Sequence, residues 1–319
     1  MRHIAQQIHA HIQRAHKIVI VPHQHPDGDA LGAATAFYEY LLTLGKDAQI
    51  FCVTPATSKL HFLPHAKILS SLTPVISDKT VDTIVVVDSG DLRYNGIAEF
   101  IVDHPATIIN IDHHVTNERY GHINLVNPTA SSTCEILYHY FYHNHIPVNR
   151  RMATSLLTGL TTDTGNFTNS ATSASALSVG GELIRSGGNY QLINDETVRN
   201  KSVDALRLWG VVLSRLKHEE KLGITHTFIT KADLELYKVP ENETEGIANF
   251  LNNLDNTRIA LILKETDGNT VKGSFRTTRD DVDVSAMAKA LGGGGHKKAA
   301  GFNTVGTIDE VLKKILTLG

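Results

Sequence analysis

Four short stretches in the N-terminal half carry the side chains able to do chemistry. They hold His23, Asp27 and Asp29; Asp88, directly behind Val85-Val86-Val87; Asp112-His113-His114, behind Ile108-Ile109-Asn110-Ile111; and Asp163, in Leu160-Thr-Thr-Asp-Thr-Gly165. Each stretch follows an apolar run. So many acids in one crevice would repel one another and be costly to desolvate. Two divalent cations resolve this. Asp27, Asp29, Asp88 and Asp163 bring four negative charges against four positive ones, and His23 and His113 add neutral nitrogen donors. Mixed oxygen and imidazole ligation favours Mn²⁺ or a similar transition metal over Mg²⁺. Two such ions roughly 3.5–4 Å apart activate water and stabilise both oxygens of an in-line phosphoryl displacement. Asp88 is the expected bridging carboxylate. His25 lies two residues from His23 and is an alternative donor. Asp112 suits a carboxylate that orients an imidazole through its second nitrogen. His114 suits either a contact to the scissile phosphate as general acid or a structural hydrogen bond. One Asp at a strand end is ordinarily a cap or turn residue; the joint pattern points to a metal site.

The elements that must position these groups follow from periodicity. Ile4, Ile8 and Ile12 mark a short amphipathic helix. Strands are expected at 17–22, 48–53, 83–88 and 107–112, and helices at 30–44, 132–142 and 150–162. Aliphatic strands alternating with helices imply βαβ units and a mainly parallel sheet. In an open parallel sheet the carboxyl ends of the strands line one crevice, so groups up to 140 positions apart are expected to converge. The fold class is therefore α/β: an N-terminal, mainly parallel sheet flanked by helices (1–188), a helical connector (189–220) and a smaller α/β domain (221–319).

The second domain is expected to have strands at 224–230, 258–265 and 270–276, and helices near 243–251, 284–291 and 308–316. It contains the run Gly292-Gly293-Gly294-Gly295-His296-Lys297-Lys298. Consecutive glycines lose conformational entropy and pack no side chain. Their use is close backbone approach, with N–H groups offered to a phosphate. Arg276 ends an expected strand and offers a bidentate fork for phosphate. Gly293, Gly294, Gly295, His296 and Arg276 are the expected substrate contacts, with Arg93 a further candidate; Lys297 and Lys298 read as solvated surface.

Composition narrows the function. With 319 residues, 41% hydrophobic and 20% charged, the chain can bury two cores and is not disordered or fibrous. A net charge of −3, and 13 basic against 13 acidic residues over 221–319, argue against coating long duplex nucleic acid. The aliphatic runs are strand-sized, no signal peptide is evident, and Cys52 and Cys134 form no disulfide framework, so a cytoplasmic protein without membrane attachment is expected.

Read in order, the four stretches resemble the motifs of the DHH phosphoesterase family, and the Gly-Gly-Gly-His tail resembles its DHHA1 substrate-binding domain. The resemblance covers essentially the whole chain and is strongest to the oligoribonuclease/pAp phosphatase (nanoRNase) type. It implies a hydrolase with two Mn²⁺ ions held by His23, Asp27, Asp29, Asp88, His113 and Asp163; the reading of the residues themselves adds Asp88, Asp112 and His114 as the expected catalytic set. Implied substrates are short oligoribonucleotides, linear dinucleotides and 3′-phosphoadenosine 5′-phosphate (pAp), giving mononucleotides or AMP and phosphate. This class is often dimeric, so a homodimer is one expected state. His25 stands where the family more often has Asn. Two other readings are a pyrophosphatase or polyphosphatase of the same superfamily, whose C-terminal domain should be basic and lack Gly-Gly-Gly-His, and a non-catalytic nucleotide- or RNA-binding module, which should show degraded metal motifs.

Overall fold

In β1 (Lys17–Val21), Ile18 and Ile20 face one apolar core while Val19 and Val21 face another. A strand covered on both sides reads as a continuous aliphatic run, and this is why the strands near the chemical motifs are so rich in Val and Ile. The computed structural model describes residues 1–199, 201–244, 246–251 and 254–318. They form two compact units, Met1–Asn200 and Lys201–Gly319.

The first unit has a five-stranded sheet in the order β2 (Asp47–Ile50), β1, β3 (Thr83–Val87), β4 (Thr107–Asp112), β5 (Ile123–Val126), with every pair parallel. Six helices build the larger core on one face: α1 (Arg2–Arg14), α2 (Gly28–Thr43), α5 (Thr133–His143), α6 (Arg150–Asp163), α7 (Ala174–Arg185) and α8 (Tyr190–Thr197). The short α3 (Thr73–Ser77) and α4 (Ala98–Ile101) cover the other face with Ile76 and Ile101. Strand order reverses between β1 and β3, the switch point where an open α/β sheet leaves a crevice at its carboxyl edge. His23 follows β1 and Asp88 follows β3, so both motifs leave the sheet at that point.

The four strands expected in this half form within a few residues of their expected limits, as do the helices over 2–14, 28–43, 133–143 and 150–163. β5, with part-buried Asn124 in its four residues, and the short α3 and α4 carry too little periodicity to be read from sequence. Asp163 is the last residue of helix α6, at the end of the helix expected over 150–162. Helix α6 reaches the site because it packs against α2 through small residues. A Cβ on Gly32 would lie 2.5 Å from the Ser155 carbonyl oxygen, and one on Gly159 would lie 2.9 Å from the Asp29 Cα. The two backbones are thus in direct contact, with Thr35 Oγ1 donating to Ser155 Oγ (2.9 Å) beside them.

The second unit contains α9 (Val203–Ser214), β6 (Lys217–Glu219), β7 (Ile224–Ile229), α10 (Lys231–Tyr237), α11 (Ile247–Leu251), β8 (Ile259–Thr266), β9 (Thr270–Arg276), α12 (Val284–Ala290), β10 (Gly294–His296), β11 (Ala299–Val305) and α13 (Ile308–Leu318). Its sheet runs β10-β11-β9-β8-β7-β6, parallel only between β7 and β8. α12 and α13 cover one face; α9 and α11 contribute to the core on the other. The stretch 189–220 is divided between the units: α8 buries Ile193 in the first, and α9 buries Leu208 and Val212 in the second. Cys52 and Cys134 are buried free thiols. Among the described residues no helix is long and apolar enough to cross a membrane.

Candidate metal centre

The turn after β1 delivers the first donors. His23 is buried, and its Nδ1 donates to the Gln24 carbonyl (2.7 Å), which leaves Nε2 to face the acids. His23 Nε2 lies 3.6 Å from Asp27 Oδ1 and 3.6 Å from Asp88 Oδ2. Asp27 also caps α2, its Oδ1 accepting from the backbone of Asp29 and Ala30 (3.0 Å each). His25 is exposed with a left-handed backbone (φ 51°) and belongs to none of the clusters formed by the described residues. Of the two imidazoles, His23 is the one that faces the acids.

Asp88 is 2% exposed and left-handed (φ 59°), a conformation Asp and Asn adopt more readily than most residues. Its Oδ2 faces His23 and its Oδ1 lies 3.6 Å from His113 Nε2. Thr133 Oγ1 donates to the same Oδ1 at 2.8 Å. Asp29 is wholly buried at the start of α2, its two oxygens accepting from the Thr133 and Cys134 amides (2.6 and 2.9 Å) at the N-terminus of α5, an end that favours anions. His113 Nε2 reaches Asp163 Oδ2 at 3.3 Å. Asp163 sits at the C-terminal end of α6, where the helix dipole disfavours an anion.

Among the described residues three donor groups result, each within 4.8 Å: His23/Asp27/Asp88, Asp29/His113/Asp163 and Asp88/His113/His114. Their electrostatics are strained. Burial, then the Asp88 charge, pushes Asp29 up to about 7. Burial, then the Asp27 charge, pushes Asp88 up to about 6 against partial relief from His23 and His114. Burial and the charges of Asp29, Asp88 and Asp27 hold Asp163 well above the ordinary carboxylate range. Burial lowers the affinity of His23 for a proton, but Asp27 and Asp88 outweigh it and raise the group to about 9. Crowded acids that hold protons in place of a missing positive charge are what divalent ions would replace, so the donor set fits such ions.

The pH dependence follows. A carboxyl whose folded pKa is raised above about 3.9 destabilises the ion-free fold as pH climbs through that interval, and the penalty is complete above the folded value. For Asp88 and Asp29 that means above about 7. Ions displace these protons. Adding Mn²⁺ to chelator-stripped protein is therefore expected to raise the melting temperature more at about pH 8 than at about pH 5. Equal shifts in a scan at both pH values would contradict this.

Asp112 is wholly buried and belongs to none of the donor groups among the described residues. Its Oδ1 lies 2.7 Å from His114 Nδ1, so it orients His114. With Nδ1 held by Asp112, a structural hydrogen bond and a role for Nε2 toward substrate are compatible. Arg93 stands apart: its side chain is 81% exposed and 4.0 Å from Glu118. Its neighbour Tyr94 places its ring 5.2 Å from that of His23. Nothing in the sequence singled out Tyr94, Thr133 or Asn117. Each acts through contacts whose partners are distant in sequence.

In the second unit Arg276 ends β9 and, with Arg258, Thr277 and Thr278, lines a shallow surface depression. The glycine run is half turn and half strand. Gly294 to His296 form β10, paired with Ala299 to Gly301. Gly293 and Gly295 are required by packing, since a Cβ would lie 2.1 Å from the Gly301 oxygen and 2.7 Å from the Ala299 oxygen. A Cβ on Gly294 would meet nothing within 4 Å. The side chain of His296 lies outside the described residues. Lys298 pairs with Asp280 (2.8 Å).

A parallel α/β sheet here gathers carboxylates and imidazoles at its switch point into donor groups that could hold metal ions. The chain belongs to the DHH family: residues 17–160 match the DHH family, N-terminal domain, and residues 229–318 the DHHA1 domain. It is 31% identical over 302 residues to the bifunctional oligoribonuclease and PAP phosphatase NrnA of Thermus thermophilus, covering 94% of this chain and 88% of that one. It is 25% identical to the Bacillus subtilis protein of that name, covering 94% of each. The crystal structure of an exopolyphosphatase-related protein from Bacteroides fragilis superposes with a TM-score of 0.92 at 25% identity, over 100% of this chain and 95% of that one.

Proposed function

We propose that the protein is a two-Mn²⁺ phosphoesterase of the cytoplasm. It hydrolyses short oligoribonucleotides and linear dinucleotides to mononucleotides, and pAp to AMP and phosphate. The observation that carries this reading is the sharing of Asp88 between donor groups, Oδ2 toward His23 and Oδ1 toward His113. His23, Asp27, Asp29, Asp88, His113 and Asp163 would hold the ions. When bound, these would supply Lewis-acid stabilisation of phosphate oxygens and acidify the attacking water. The chain's own residues do the rest. Thr133 and the α5 N-terminus fix Asp88 and Asp29. His114, its Nδ1–H held by Asp112, gives the Nε2 proton of its imidazolium form to the leaving oxygen and is left as the neutral Nδ1–H tautomer. Arg276 and the unobstructed backbone at Gly294 are the second unit's contacts to substrate phosphate, with Gly293 and Gly295 shaping that backbone. The neutral charge of residues 221–319 suits short substrates, not long duplexes.

The test is side-by-side turnover of pApA, a pentaribonucleotide, pAp and polyphosphate by Mn²⁺-loaded protein. Mononucleotide from pApA and phosphate from pAp are expected. Phosphate from polyphosphate alone would favour the polyphosphatase reading and align the chain with the exopolyphosphatase-related protein of Bacteroides fragilis. Binding of pAp with no metal uptake and no product would favour a non-catalytic module.

A further inference from the structure

Asn117 lies beyond the last of the chemical motifs on β4, yet its side chain is saturated with hydrogen bonds. Its Oδ1 accepts from the Arg119 amide (2.7 Å) and from Asn110 Nδ2 (2.9 Å). Its Nδ2 donates to the Ser89 carbonyl (3.1 Å) and to Asp112 Oδ2 (2.6 Å). A backbone N–H can only donate and a carbonyl can only accept, so the orientation of this amide is settled by its neighbours. Asn110, itself wholly buried, is tied in turn to Asn124 Oδ1 (3.1 Å). A row of amides therefore runs from β5 across β4 to Asp112. It ends on the carboxylate whose other oxygen meets His114 Nδ1 at 2.7 Å.

We infer that Asn117 is a positioning residue: it clamps Asp112 so that Asp112 keeps the hydrogen of His114 on Nδ1 and Nε2 available to the reacting phosphate. The chemistry supports this. A carboxylate with two oxygens can rotate about its Cβ–Cγ bond, and a donor fixed on Oδ2 stops that rotation. The oxygen left toward His114 can only accept, so the neutral imidazole is held in one tautomer. An Asp at 117 would keep the size but set an acceptor against both the Asp112 carboxylate and the Ser89 carbonyl, so Asp112 would turn away. The inference rests on the role proposed for His114, although the tautomer can be read without turnover.

The experiment compares Asn117→Asp and Asn117→Ala with the unsubstituted protein. Long-range ¹H–¹⁵N spectra of the imidazoles are recorded at alkaline pH, with His114 assigned by His114→Gln. The unsubstituted protein should show His114 protonated on Nδ1. Asn117→Asp should shift the ring toward the Nε2–H form and lower kcat on pApA about 10–100-fold. KM and Mn²⁺ uptake should stay near their original values, whereas a merely structural loss would lower Mn²⁺ uptake with activity. If Asn117→Asp does not fold, Asn117→Ala, which removes the donor without adding charge, decides by the same spectrum. An unchanged His114 spectrum in a folded variant, or unchanged kcat, overturns the inference. Absence of pApA hydrolysis by the unsubstituted protein would sink the proposed function and leave the tautomer result to judge Asn117 alone.

Discussion

Asp88→Asn is expected to lower kcat/KM on pApA by at least about 10³-fold while the fold is kept. Asn suits this position: it adopts the left-handed backbone of Asp88 more readily than most residues, and its amide oxygen can still accept from Thr133 Oγ1. The charge is lost, and the oxygen that faces His23 becomes an NH₂ group that can only donate. Stability should move the other way. Asp88 is crowded by Asp27 and Asp112 in a buried site, and removing its charge relieves the ion-free protein by on the order of 2 kcal/mol above about pH 7. At about 2–4 °C per kcal/mol, the melting temperature of chelator-treated protein should rise by several degrees. An ion-free variant that melts earlier, or one that retains turnover, would remove Asp88 from the centre of the site.

The second large effect concerns how α6 is brought to the acids. Gly32→Ala sets a methyl group 2.5 Å from the Ser155 carbonyl, a backbone atom that cannot swing aside. The α2 and α6 axes must separate, at a cost of about 2–3 kcal/mol, or a melting-temperature fall of about 4–12 °C. Asp163 rides on the end of α6, so Mn²⁺ affinity should fall as well. Gly181→Ala is the control. That glycine is exposed in α7 with nothing within 4 Å of the added carbon, so the exchange should stabilise by about 0.5–1 kcal/mol. Equal melting temperatures for the two variants would show that the helices do not meet as closely as described.

Much of this protein was readable in its sequence because the relevant signals are local. Val85-Val-Val ending in Asp88, and Ile108-Ile-Asn-Ile ending in Asp112-His113-His114, name both a buried strand and the groups at its carboxyl end. A parallel sheet must then bring those ends to one edge. β5, with half-buried Asn124 in four residues, had no such signature, and the β10 strand was hidden by glycines whose packing against β11 only the hairpin reveals.

The candidate donors that follow β1, β3 and β4, and the sheet itself, were thus legible in residue order, since a strand's pattern and its terminal acid lie within a few positions of each other. Which imidazole Asp112 orients, which helix N-terminus steadies Asp29, and how α6 delivers Asp163 were decided only by tertiary structure. Those outcomes depend on contacts such as Asp29 with Cys134, 105 positions apart, and on the space left by Gly32 and Gly159. Hydrogen-bond direction and steric fit between distant segments leave no periodic trace in a chain; they exist once the helices have packed.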